Sequence, residues 1–256
     1  MGNQLDIMEN KLTGAPQSID LREREIALPK LEIRPKNPTE EFDYLWYVLG
    51  RVPFYKKQGY TIETPDHPEF QRLVAVSPSF TDEDKTTAQR LFADQIYNPA
   101  FYTNGISVLE NERPRIEQAF PGFVEFNKKW GFKLFPKYQV TLTRFGPGGS
   151  YDDDIGLITM MTRQDGTFKR PNPSHTPVHE MVHIGIEDSI VKRYGLTHRE
   201  KERLVDLVTL SRFGNILPGY KLQDLGDPRI DPYITDSALE NLPDAVSRYV
   251  QEYPRG

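Results

Sequence analysis

The residues of this chain best equipped for chemistry stand together at Pro177-Val178-His179-Glu180-Met181-Val182-His183. Two imidazoles four residues apart share one face of a helix, so His179 and His183 can grip a single ion while Glu180 stands beside it. The chain has no cysteine. Any metal must therefore be held by His, Asp or Glu. A Zn²⁺ held this way polarises a carbonyl and makes its water acidic, and Glu180 can take the proton as that water attacks. The chemistry implied is metal-assisted hydrolysis.

A hydrolytic zinc site takes a third protein ligand. Glu187 lies four residues past His183, but a further helical turn carries it away from an ion centred between the histidines. Asp188 points to another face, and Glu200 answers Thr197 in a capping box. Glu202 is better placed, in the first turns of the helix that Thr197 opens, because that helix can fold back to face the metal. Asp206 is one turn further along the same face. It can accept the other ring N–H of His179 and so fix the tautomer.

His-Glu-x-x-His, followed by Glu202 after eighteen intervening residues and by Asp206 four residues later, resembles the gluzincin zinc metallopeptidases. The interval is similar to that of their aminopeptidase branch, and the Glu-x-x-x-Asp spacing is similar to the thermolysin branch. The resemblance spans roughly residues 176 to 206. It implies His179, His183 and Glu202 as ligands of a Zn²⁺ cofactor, Glu180 as general base, Asp206 behind His179, and a peptide or protein as substrate. The fold it implies is α+β and zincin-like, with a small mixed or antiparallel sheet, an active-site helix and a helical C-terminal part. The metzincin extension is absent, since Ile186 and Ser189 stand where it needs Gly and His. Nor is Gly146-Pro147-Gly148-Gly149 the Gly-rich motif of the aminopeptidase branch.

A peptidase also needs a donor for the developing oxyanion. His198, Tyr194, Tyr220 and Tyr233 are available. Tyr220 is favoured because it follows Pro218-Gly219 in a loop beyond the ligand helix and can swing over the site. His175, ahead of Pro177, and His67 read as lying outside the centre. Two other readings stand beside the peptidase: a metal- or partner-binding protein without catalysis on the same scaffold, and a zinc amidase of another class.

The elements that must position these residues follow from spacing and caps. Residues 1–40, broken by four prolines, read as an extended arm with one possible strand at 26–33, long enough to lie in a cleft as an inhibitory segment. The rest, 41–256, reads as one catalytic domain, with an N-terminal lobe to about 195 and a helical part beyond. Phe42, Leu45, Trp46 and Leu49 recur at helical steps up to Gly50. A strand is expected near 73–76, a helix from the Thr81 and Asp84 capping box, and helices over about 99–111 and 115–130, the last interrupted near Pro121-Gly122. Tyr138 to Thr143 alternates as a strand, and 155–162 reads as a second, which over 157–162 is either the strand that pairs with extended substrate or an ordinary sheet strand without substrate contact. Thr176 is the expected cap of the metal helix, with Pro177 in its first turn and Gly195 ending it. The helix opened by Thr197 runs to Gly214-Asn215, and a last short helix carries Pro243 in its first turn.

With 32 Lys and Arg against 37 Asp and Glu, the formal charge is −5. That gives no general attraction to phosphate backbones or anionic lipid, so nucleic acid and membrane are set aside as partners. No apolar run reaches the length of a membrane span, and the N-terminus lacks the pattern of a signal peptide. The chain is expected to be soluble, either cytoplasmic or secreted with its signal removed.

Overall fold

Three capping boxes set much of the helical frame. Asn37 with Glu40, Thr81 with Asp84, and Thr197 with Glu200 each satisfy the orphan amides of a first helical turn. The computed structural model describes residues 26–224 and 226–254. The first 25 residues, and with them most of the expected arm, lie outside the described residues. In chain order the elements are β1 (Lys30–Pro35), α1 (Pro38–Gly50), α2 (Val52–Gln58), α3 (Pro68–Val76), α4 (Asp82–Leu91), α5 (Thr103–Glu117), α6 (Phe120–Trp130), β2 (Lys137–Thr143), β3 (Gly149–Asp152), β4 (Leu157–Met161), α7 (His175–Ile186), α8 (His198–Phe213) and α9 (Leu242–Glu252). The result is a mixed α+β fold, mostly helical, around a small mixed sheet. Among the described residues no helix is long and apolar enough to cross a membrane.

The sheet runs in the order β1-β2-β4-β3, with β1, β2 and β4 parallel and β3 antiparallel to β4. Residues 30–35 form an edge strand of the sheet, overlapping the strand expected at 26–33 but ending two residues later. One expectation is corrected. The candidate substrate strand, β4, is interior, and its backbone is already paired with β2 on one side and β3 on the other. The free edge on that side of the sheet belongs to β3.

Local chemistry explains the other departures. Residues 73–76 are the last turn of α3, not a strand. Pro68 opens that helix beneath a His67 cap, and Phe70 and Leu73 bury one face at helical spacing. Pro121 does not interrupt a helix but sits in the first turn of α6, where its missing N–H costs nothing; the break falls at 118–119. Helix α7 starts at His175, one residue before the expected cap Thr176, and Ser174 precedes it without a side-chain capping bond. After Ile186 the chain widens into a π-helical turn, Glu187–Lys192, and Gly195 follows with φ of 61°. Apart from Thr176, the residues of α7 are all buried. Gly185 lets the ring of Phe132 lie so close that a Cβ would stand 1.8 Å from its Cζ. Helix α7 is thereby wedged into the core.

Two hydrophobic clusters result. The smaller gathers Phe42, Leu45, Leu49, Phe70, Leu73, Ala88 and Phe92 from α1, α3 and the α4 region, with Phe145 from the turn after β2. The larger joins the sheet to α5 through α9. Helices α7 and α8, on either side of residue 195, contribute to one core. The cleft opens where α1 and α2 face β3, α7 and α8.

Candidate metal centre and cleft

His179 and His183, one turn apart on α7, turn their Nε2 atoms toward each other at 3.2 Å. Helix α8 packs beside α7 and brings a Glu202 carboxylate oxygen to 3.5 Å from His183 Nε2 and 3.9 Å from His179 Nε2. Four-coordinate N/O ligands at about 2.0–2.2 Å from one ion stand roughly 3.3–3.6 Å apart, so these three atoms are close to the spacing of one tetrahedral face. This buried trio could hold a metal ion. Burial opposes the Glu202 charge, but His183, then His179 and His198, outweigh it and hold the carboxyl well below its ordinary range.

Behind His179 lies a relay. Tyr220 Oη stands 2.6 Å from His179 Nδ1 and donates to Asp206 Oδ1 at 2.7 Å. Because that hydroxyl proton is directed at Asp206, the oxygen is left to accept from Nδ1–H. The Nε2 lone pair then faces Glu202 and His183, which is the tautomer a metal requires. Asp206 is fully buried and also accepts from the Gln223 backbone N–H at 2.5 Å. Burial raises its pKa, but the bond toward His179 and the donors around it win and lower it. Asp206 thus lies where the sequence puts it, while Tyr220 does not. Its hydroxyl is behind the first histidine, on the side away from Glu202, and is committed to two partners. In this structure the Tyr220 hydroxyl does not reach over the trio.

His183 is held differently. The ring of Tyr151 on β3 lies flat against it, with centroids 5.0 Å apart and planes 12° apart. Tyr151 donates to Glu187 Oε2 at 3.0 Å and accepts from Lys201 Nζ at 2.8 Å. Glu187, the rival ligand, is drawn into this separate network. Asp188 pairs with Lys133 and Lys192 on the surface, and Glu200 caps α8.

Glu180 lies against Gly149, the first residue of β3, so closely that a Cβ there would stand 2.4 Å from Oε1 and 2.8 Å from Thr176 Cγ2. Burial pushes its pKa up to about 7, with His179 pulling the other way. A carboxyl poised there can accept and return a proton at neutral pH. Replacing Gly149 by Ala is expected to displace the Glu180 carboxyl, since Oε1 must give way to the new Cβ.

Sequence reasoning missed Tyr60. It follows Gly59, whose φ of 78° ends α2, and its hydroxyl reaches 3.0 Å from His198 Nε2. His198 Nδ1 is in turn 3.7 Å from Glu202. Burial raises the Tyr60 pKa, and the charges of Glu202 and Glu180 add to that shift. The loop is pinned to the Gly-rich turn by paired bonds between Glu63 and Gly146, each 2.9 Å. Only the Gly59 cap is visible in the sequence, and it says nothing of where the next side chain goes. Of the other candidates, Tyr194 and Tyr233 do not line the cleft, whereas His198 does, as partner of Tyr60.

The cleft measures about 920 Å³ and is walled by α1 and α2 residues on one side and by β3, α7 and α8 on the other. No protein-family model matches the chain, and no curated protein or solved structure matches it.

Proposed function

We propose that the protein is a zinc metallopeptidase with a zincin-like catalytic domain, in which His179, His183 and Glu202 hold Zn²⁺ and Glu180 is the general base. The observation that carries this reading is the convergence of two imidazole nitrogens and one carboxylate at 3.2–3.9 Å, with a proton-accepting carboxyl adjacent and a large cleft in front. Nitrogen and oxygen donors alone, in this number, suit a catalytic rather than a thiolate-closed structural zinc site. When bound, the ion supplies Lewis acidity and makes water a nucleophile at neutral pH.

The residues of the chain divide the remaining work. Tyr220 and Asp206 keep Nε2 of His179 unprotonated. Glu180, held by Gly149, takes a proton from the nucleophile and returns it to the leaving amine. Substrate adds as an extended strand to the free edge of β3, whose Gly149, Ser150 and Tyr151 line the cleft. Tyr60, with His198 behind it, donates to the oxyanion as charge develops. Tyr60→Phe is expected to lower kcat by about 10²–10³-fold with KM little changed; a wild-type kcat would remove Tyr60 from the reaction.

The proposal is tested with an unfolded protein substrate. The zinc-loaded chain should cleave it, lose activity on chelation and regain it when zinc is restored. Cleavage indifferent to chelation, or none by protein shown to contain zinc, would contradict it.

A further inference from the structure

The chain as a whole is acidic, yet its cleft is not. Five basic side chains line it, Arg51, Lys169, Arg170, Lys201 and Lys221, against two carboxylates, Glu180 and Glu202, both of which the proposed chemistry uses. Lys201 is engaged by Glu187 at 3.8 Å. Among the described residues the other four have no carboxylate within ion-pair distance, and Lys169 donates instead to the Pro147 carbonyl. Cations that outnumber the carboxylates of a concave wall and make no direct ion pair add a positive potential there.

Arg170 stands near the N-terminal end of α7, and Lys221 follows Tyr220 in the loop beside it. The Arg170 guanidinium lies 5.7 Å from the Tyr220 ring centroid, and the His175 ring lies 5.4 Å from the same ring. Asn172 Nδ2 donates to the Pro218 carbonyl at 2.8 Å, tying the segment that carries Arg170 to the loop that carries Lys221. His175 is only 5% exposed, lines the cleft, and has no hydrogen-bond partner for Nε2 among the described residues. Helix α7 also begins there without a side-chain cap. An uncapped helix start, an unpartnered buried ring nitrogen and two cations without a carboxylate together present donors and positive charge with no anion to answer them.

We propose that Arg170, His175 and Lys221 form a carboxylate-binding subsite and that the preferred substrate is an acidic peptide. The substrate assignment rests on the peptidase reading; the binding of a carboxylate does not. His175 precedes His179 by one helical turn, about 6 Å along the axis. An extended peptide advances about 3.3 Å per residue, so the recognised carboxylate lies roughly two residues from the bond that is cut. A Glu or Asp side chain and a free C-terminus share this chemistry.

The test is fluorescence anisotropy of labelled peptides on zinc-loaded full-length Glu180→Gln protein, which binds without turnover. Three peptides suffice: one with a Glu and an amidated C-terminus, its Gln isostere, and the Gln peptide as free acid. Either carboxylate form should bind at least about tenfold more tightly than the neutral isostere, less so as salt rises. The form that gains identifies a side-chain or a terminal carboxylate as the ligand. The ratio should fall toward one in Arg170→Gln and, separately, in Lys221→Gln. Equal binding of all three peptides, or a preference unchanged in both variants and hence due to the metal alone, would overturn the subsite. If the preference is present but wild-type protein cleaves none of the peptides, the subsite stands and the peptidase reading falls. If wild-type protein cleaves them all without preference, the subsite falls and the peptidase reading stands.

Discussion

Glu180→Gln is expected to lower kcat/KM by about 10²–10⁴-fold, the range that a positioned general base contributes, while zinc content stays at one ion per chain. The amide keeps the size and the contact with Gly149 but cannot take a proton. Among the described residues no other carboxylate near the trio is equally suited to the role. Glu202 is held ionised by the surrounding histidines and is assigned to the metal, and Asp206 is buried behind His179 with its oxygens engaged. The assay is peptide hydrolysis with zinc measured on the same sample. Full activity in the variant would move the base elsewhere and break the proposed division of labour.

Glu202→Ala is expected to have the largest effect on the metal itself. Two imidazoles would remain on α7, but the third corner, supplied by α8, would be lost. Zinc affinity should fall by more than the roughly 10–100-fold that follows loss of an outer hydrogen-bonding partner of a ligand, and activity should fall with it. Competition with a chelating indicator measures this directly. Unchanged affinity would exclude Glu202 as a ligand. Glu187 does not offer a ready substitute, because Tyr151 and Lys201 hold it away from the trio.

These two expectations rest on the part of the site that was legible in the sequence. His179, Glu180 and His183 are set by spacing within one helix, and Glu202 and Asp206 by spacing within another whose start is marked by Thr197 and Glu200. Such relations survive folding because each is internal to a single rigid element. What the sequence could not convey depends on how elements meet. Tyr60 comes from the end of α2, more than a hundred residues before the histidines. Tyr220 was legible as a residue near the site, but the side of His179 on which its hydroxyl falls is decided by the path of the loop after α8.

The sheet shows the same division. Tyr138 to Thr143 alternates plainly and forms β2, but β3 is four residues that begin within a glycine-rich turn. Its brevity hides it, and without it β4 takes the role of the edge strand. Residues 73–76 are too few to display a helical period, so their valines read as a strand although Phe70 and Leu73 together set a helical face. The start of α7 is off by two residues, a small error with a consequence. It moves His175 from a preceding loop onto the helix, one turn from His179 and beside Arg170.

The central claim is that one Zn²⁺ binds between α7 and α8 on His179, His183 and Glu202. It is tested most directly by anomalous diffraction at the zinc edge from crystals of the zinc-loaded protein. The prediction is a single strong peak about 2.0–2.2 Å from Nε2 of His179, Nε2 of His183 and a Glu202 carboxylate oxygen. No peak in the cleft, or a peak that leaves Glu202 outside coordinating distance, would contradict it.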